Sequence, residues 1–252
     1  MSEISDESSP FSMLNRGGDP GVLLVCDHAS NYIPPQLNGL GLPAAAFARH
    51  IAYDIGAAAV TAALSQQLNA PAVLAGFSRL LIDPNRGADD PTLVMKLSDG
   101  AIIPGNRGVD AKIIADRIAR YYQPYHQAIA ECITAARTIG VAPAILSLHS
   151  FTPVFQNRPR PWQVGILWDK DGRIALPLLA SLQADSNLCV GDNQPYSGEL
   201  VGDCMYRHGT QNGLPHVLIE LRQDLIAENS GAESWAELLV SHLRPILKAI
   251  ER

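Results

Sequence analysis

Short apolar runs, bounded by turn-forming residues, alternate along the chain with longer stretches of helical spacing. The runs are Gly21–Cys26 (GVLLVC), Ala72–Phe77 (AVLAGF), Ala144–Leu148 (AILSL), Gln163–Trp168 (QVGILW) and His216–Leu221 (HVLIEL). Continuous apolar runs of this length suit strands buried on both faces, as in a mostly parallel sheet. Between them, Ala44–Leu68 is alanine-rich, with Phe47, Ile51, Ile55 and Ala58 on one helical stripe. Asp110–Thr138 is a long helical pattern in which Pro124 predicts a kink or split. Ala232–Ile250 is a further helix, with Pro245 inside it. The alternation predicts an α/β layered fold. No repeat or low-complexity tract divides it, so the pattern predicts a mobile leader over 1–19, ended by Gly17-Gly18-Asp19-Pro20, and one domain over 20–252.

Composition narrows the classes. With 252 residues, 47% hydrophobic and 17% charged, the chain has ample material for a core and is not of disordered type. A net charge of -6 without a cluster of Lys or Arg argues against nucleic acid as a partner. Cys26, Cys132, Cys189 and Cys204 are scattered and read as small buried hydrophobes in a reducing compartment. The acidic start lacks the regions of a signal peptide, and no apolar stretch is long enough to cross a bilayer. A soluble, cytoplasmic protein is expected. The oligomeric state is not legible.

The candidate chemistry lies at strand ends. His28 follows the first run, His149 follows AILSL, and Glu220 lies near the end of HVLIEL. In parallel sheets, ligands bind beyond the carboxyl ends of the strands. Two imidazoles and a carboxylate there match the needs of a catalytic zinc: nitrogen ligands, an open position for water, and a base. A lone His after a strand is more often structural, but a Glu within an apolar strand needs a partner or a task. Asp54 falls beside the apolar stripe of its helix, so it reads equally as a third metal ligand or as a structural partner of an arginine or of His50, four residues back.

Directly after AVLAGF comes SRLLIDPNR, residues 78–86, which concentrates Arg79 and Arg86 in a turn at a strand end. Paired guanidinium groups hold carboxylates bidentately, and the bland reading is an arginine paired with Asp83. The turn-rich GDNQPYSG at 191–198 is a candidate lid that brings Tyr196 to a substrate. Arg222 and Asp224 read as support for Glu220 or as a surface pair. Among the remaining histidines none has metal-ligand spacing, and His208, beside Gly209, stands out most.

Taken together, DHASNYIP at 27–34, SRLLIDPNR at 78–86, SLHSFTP at 147–153, GDNQPYSG at 191–198 and IELRQDL at 219–225 resemble the N-formylglutamate amidohydrolases. That resemblance implies a three-layer αβα sandwich with a central mixed, mostly parallel sheet, akin to the zinc carboxypeptidases and the aspartoacylase group. It implies one zinc (Zn2+) per chain held by His28 and His149, with Glu220 as general base and Arg79 polarising the scissile carbonyl. Asn85 and Arg86 would hold the carboxylate of a small acidic N-acyl amino acid such as N-formylglutamate, with Tyr196 and Arg222 alongside. The carboxypeptidase-like relatives carry a glutamate three residues after the first histidine, where this chain has Asn31, so the third ligand must come from elsewhere. Asp54 is the candidate. The residues do not separate formyl from acetyl or succinyl. The alternatives are a zinc deacylase acting on another N-acyl amino acid and a non-catalytic carboxylate-binding module.

Overall fold

The computed structural model describes residues 9–250. Its strands are β1 (Phe11–Leu14), β2 (Val22–Cys26), β3 (Ala72–Ala75), β4 (Leu97–Ser98), β5 (Ala101–Ile102), β6 (Ala144–Phe151), β7 (Val154–Phe155), β8 (Arg158–Pro159), β9 (Val164–Leu167), β10 (Val190–Asp192) and β11 (His216–Arg222). Seven of them form one sheet in the order β1-β3-β2-β6-β11-β9-β10, while β4–β5 and β7–β8 are separate two-stranded ribbons. The pairs β3–β2, β2–β6, β6–β11 and β9–β10 are parallel, and β1–β3 and β11–β9 are antiparallel. The helices are α1 (Ala57–Leu68), α2 (Ala111–Arg117), α3 (Gln123–Thr138), α4 (Ala175–Gln183), α5 (Cys204–His208) and α6 (Asn229–Ile250).

Each central strand is buried on both sides, and period-two alternation assigns its residues to two cores. Leu24, Leu146, Leu148, Ile166, Val217 and Ile219 face α1, α4 and α6, which contribute Leu64, Leu178 and Leu239. Leu23, Val25, Val73, Ile145 and Leu218 face the other layer, built from α3 with Tyr125 and Ile129 and from α5 with Cys204 and Met205. This is the mixed, mostly parallel αβα sandwich expected.

Three local expectations are corrected. Within the stretch read as a leader, residues 11–14 form the edge strand β1, in register with β3 from Phe11↔Ala75 to Leu14↔Ala72. Phe11 and Met13 pack on the second core, a pattern too short to stand out in sequence; residues 1–8 lie outside the described residues. The helix read over Ala44–Leu68 is broken. A short 3-10 turn spans Ala44–Ala48, and α1 begins only after Gly56, whose φ of +82° and 2.2 Å clearance to the Ile226 carbonyl exclude a side chain. Asp54 therefore sits in the loop before α1. Its amide donates to the His28 carbonyl at 2.9 Å, which carries it to the sheet end. The 110–138 pattern, by contrast, divides near Pro124 as its sequence requires. A π turn at Ile118–Tyr122 separates α2 from α3, and Asp110 caps α2 through the Ile113 amide at 2.9 Å.

A buried histidine pair joins α3 to α5. His126 Nδ1 and His208 Nε2 are 2.9 Å apart, with ring centroids 5.1 Å apart and planes inclined by 25°. That separation is the one two imidazoles adopt when an N–H points straight along the other's lone pair. Burial pushes His126 down to about 3 and His208 to about 4, so both rings stay neutral where unfolded histidines, near 6.5, take up protons. Stability contributed by this pair is present above about pH 6.5 and is lost as pH falls toward 4. Urea denaturation at pH 7 and pH 5 should show this loss, and His126→Gln should lessen it. An equal pH dependence in the variant would contradict the buried neutral pair.

Gly165 in β9 faces Glu220 across the ladder, and a Cβ there would stand 2.0 Å from the Gln194 carbonyl. Gly165→Ala should cost about 2 kcal/mol or more in chemical denaturation, because the obstacle is backbone. Unchanged stability would show that this close approach is not enforced.

Candidate active site

Two parallel strands deliver the polar groups to one face. In β6 the residues facing the second core are Ile145, Ser147 and His149, and in β11 they are His216, Leu218 and Glu220. The register sets His149 directly opposite Glu220 and Glu220 opposite Gly165. His149 is thus inside β6, two residues before its end, rather than just beyond it. β2 ends at Cys26 and hands over to Asp27 and His28, so both imidazoles meet at the carboxyl ends of adjacent strands.

Both histidines are oriented by buried carboxylates. His28 Nε2 lies 2.8 Å from Asp83 Oδ1, and His149 Nε2 lies 2.9 Å from Asp27 Oδ2. Asp27 also accepts from the Tyr125 hydroxyl at 2.9 Å and the Ser147 hydroxyl at 3.2 Å, while Asp83 accepts from the Asn85 amide at 2.9 Å. Burial works against both carboxylates. For Asp27 the hydrogen bond and charge of His149 outweigh it, and for Asp83 the charge and hydrogen bond of His28 do, holding both below the usual carboxylate range. Asp27 was assigned no role from sequence, and Asp83, read there as the partner of an arginine, pairs with His28 instead while Arg79 turns to Asp54. An acid immediately before a strand-end His was the available signal.

The other nitrogens converge. His28 Nδ1 is 3.3 Å, and His149 Nδ1 2.8 Å, from the same atom, Asp54 Oδ2. Burial, then the nearby Arg79 guanidinium, push His28 down to about 4, so it is neutral near pH 7. A neutral imidazole that donates through Nε2 presents a lone pair at Nδ1. The Nδ1 lone pair of His28 therefore faces a carboxylate oxygen, with His149 Nδ1 beside it, a set of donor atoms suited to a cation. The ligand atoms of His28, Asp54 and His149 lie within 4.8 Å of one another. His126, Cys204 and His208 are equally close, but there the imidazole lone pair is already taken by the His126–His208 bond.

Asp54 is further engaged by Arg79, which pairs with its Oδ1, while His50 Nδ1 stands 3.6 Å away without a hydrogen bond. Of the structural partners foreseen for it, the arginine is present and the His50 pair is not formed. Burial, followed by the Arg79 charge, pushes His50 down to about 2. Asn31 points elsewhere: its amide donates to the Phe47 carbonyl at 2.8 Å from an exposed position.

These groups open onto a cavity of about 390 Å³ lined by His28, Asp54, Arg79, Asn85, Arg86, His149, Tyr196 and Glu220, among others. Glu220 is 6% exposed, and its Oε2 has no hydrogen-bond partner. Burial raises its pKa, although His149, Arg79 and His28 pull the other way. Asn85 Oδ1 accepts from the Cys204 amide at 3.0 Å, and Arg86 Nη1 donates to the Asn85 carbonyl at 2.8 Å. Arg222 does not join them. It is absent from the cavity lining, because its guanidinium pairs with Asp224 at 2.8 and 3.2 Å, the surface-pair alternative. Sequence reasoning also missed Arg160, which donates to the Tyr196 hydroxyl at 3.0 Å and lies over the rings of Phe155 and Tyr196 at 4.7 and 5.0 Å. It ties the β7–β8 ribbon to the Tyr196 loop at the cavity mouth. Among the described residues no helix is long and apolar enough to cross a membrane.

Comparison with known proteins identifies the family. A crystallised gene product of Agrobacterium tumefaciens is 35% identical, with a TM-score of 0.93 over 97% of both chains. The crystal structure of an N-formylglutamate amidohydrolase from Ralstonia eutropha is 23% identical, with a TM-score of 0.61 over 97% of both chains, a likeness of fold. No curated protein matches. The family profile described as N-formylglutamate amidohydrolase matches residues 21–227, a span that takes in His28, Asp54, His149 and Glu220. The chain therefore belongs to the N-formylglutamate amidohydrolase family.

Proposed function

We propose that this amidohydrolase-family chain is a metal-dependent enzyme that hydrolyses the N-acyl amide, the family's N-formyl amide first, of a small amino acid. The observation that carries the reading is the convergence of two carboxylate-oriented imidazoles on one oxygen of Asp54. A donor set of two nitrogens and one carboxylate oxygen fits a catalytic zinc, one per chain, and leaves a position open. Asp27 and Asp83 supply the carboxylate partners that fix the tautomer of such ligands. When bound, the ion supplies Lewis-acid chemistry, polarising a carbonyl oxygen and acidifying water.

The remaining steps belong to the chain's own residues. Glu220, buried, with one oxygen unpartnered and its pKa raised, takes a proton from the attacking water and returns it to the leaving nitrogen. Arg79 keeps Asp54 in place through one end of its guanidinium. Its Nε–H, buried and unpartnered, is available to the carbonyl oxygen as charge develops there. Arg86, with Asn85 beside it, holds the substrate carboxylate, so binding at a remote group fixes the amide against the base. Tyr196, tethered by Arg160, closes the mouth.

Glu220→Gln should lower kcat about a thousandfold or more while the zinc content, measured by elemental analysis, stays at one per chain; retained turnover would remove the base assignment. His149→Ala should lose the metal, as should prolonged chelation of the wild type, and activity should return when zinc is restored. Wild-type protein that binds no metal when zinc is supplied would leave the carboxylate-binding module as the better reading. Arg86→Ala should reduce kcat/KM by about 3 kcal/mol in transition-state terms, and an unchanged value would place the carboxylate elsewhere.

A further inference from the structure

Beyond His149, β6 runs on to Phe151 and the chain turns straight into the β7–β8 ribbon. The ribbon is a two-residue hairpin. Its central residues, Gln156 and Asn157, both have positive φ, at 49° and 61°, as a primed turn requires. The hairpin returns the chain to Arg160, whose amide donates to the Pro153 carbonyl at 2.8 Å. Its guanidinium is thereby set over the end of β6, 5.8 Å from the centre of the buried Phe151 ring.

The guanidinium is held but not neutralised. One nitrogen, Nη1, makes both of its side-chain hydrogen bonds, to the Tyr196 hydroxyl at 3.0 Å and to Thr152 Oγ1 at 3.4 Å. The rings of Phe155 and Tyr196 support it at 4.7 and 5.0 Å. Among the described residues Nε and Nη2 make no hydrogen bond, and Arg160 forms no ion pair. That edge of the fork carries two N–H groups, the geometry a carboxylate accepts bidentately. Its charge reaches the reacting centre, for Arg160 is among the cations acting on Glu220 and on His50, two lining residues of the cavity. Arg79, in contrast, is paired with Asp54, and Arg222 with Asp224. Two guanidinium groups near the site therefore have no ion-pair partner among the described residues: Arg86 in the cavity lining and Arg160 at its mouth.

An acidic N-acyl amino acid brings two carboxylates, and each needs a cation as it leaves water. Arg86 meets one. We propose that Arg160 is a specificity-determining residue, whose free Nε–Nη2 edge receives the second, side-chain carboxylate of the substrate. This deepens the amidohydrolase reading and rests on it. The tether to Tyr196 uses the opposite side of the guanidinium, so it survives when the carboxylate arrives. Stacking and tether together fix the plane of the fork beforehand, which lowers the entropy lost on binding. Tyr196 and Arg160 thus act as one element at the mouth: the ring stands in the cavity wall, and the cation behind it reads the charge of the substrate's side chain.

The test is an isosteric pair, N-formyl-L-glutamate and N-formyl-L-glutamine, which differ in one charge at nearly constant shape. With zinc-loaded wild-type protein at pH 7.5, kcat/KM should favour the glutamate compound by about tenfold or more. Arg160→Met keeps an apolar stem against Phe155 and removes the charge. It should lower the glutamate-to-glutamine ratio by about tenfold or more, with the change carried by KM. Arg160→Lys keeps the charge without the fork and should fall between the two. Loss of the Arg160 charge also acts on Glu220, but that effect is common to both compounds and cancels in the ratio. A ratio that is the same in wild type and Arg160→Met would reduce Arg160 to a tether of the Tyr196 loop and overturn the proposal, as would a wild-type preference for the glutamine compound. Either result, with turnover retained, leaves the hydrolase reading intact. No turnover of either compound by wild-type protein carrying its zinc would overturn that reading, and this proposal with it.

Discussion

The structure turns on a conflict between acceptors. Asp83 and Asp27, buried and held in their charged form, take the Nε2 protons of His28 and His149. That choice leaves the Nδ1 atoms aimed at Asp54 Oδ2. Two imidazole nitrogens and a carboxylate oxygen gathered this closely form a donor set suited to a cation. Everything around the site serves the convergence. The β6–β11 register sets Glu220 beside His149, the His28 carbonyl pins the Asp54 amide, and Arg79 occupies the other Asp54 oxygen. Asp27 joins the site to the core, since Tyr125 of α3 and Ser147 of β6 donate to it. Removing either donor leaves part of a buried carboxylate unsatisfied, so packing and chemistry are not separable here.

Much of the sheet was legible because its central strands carry long aliphatic runs, and such runs have few alternatives to double-sided burial. β1 and β10 were not, being four and three residues long with no run to mark them. The break before α1 was readable in principle from Gly56, but alanine-rich spacing on both sides argued for continuity, and the position of Ile226 is a tertiary fact. For the site, His28, His149 and Glu220 stood out by position at strand ends. Asp54 was chosen through a helical stripe that does not exist, and it reaches the site by a loop instead. The pairing of Asp27 and Asp83 with the two histidines escaped notice because it is directional, and direction follows from ring orientation rather than from order in the chain. Arg222 shows the converse. Adjacency to Glu220 in sequence carries no contact once the strand has ended and Asp224 is closer.

The arginines show how a count of residue types misleads. Two guanidinium groups within one nine-residue motif look like a paired receptor for an anionic substrate. In three dimensions Arg79 is buried against a carboxylate of the protein itself, and its charge compensates Asp54. Without Arg79, Asp54 and Glu220 would face the same cavity with less opposing charge, and Glu220 would be driven still further toward its neutral form, since Arg79 is among the groups that counter its burial. In the proposed mechanism Glu220 is a base, which must stay ionised to accept a proton, so the guanidinium that pairs with Asp54 also keeps Glu220 usable. Under the proposed hydrolysis the two arginines are therefore not equivalent: Arg79 serves the reacting centre through Asp54 and Glu220, and Arg86, which forms no ion pair among the described residues, is the one left to meet a substrate.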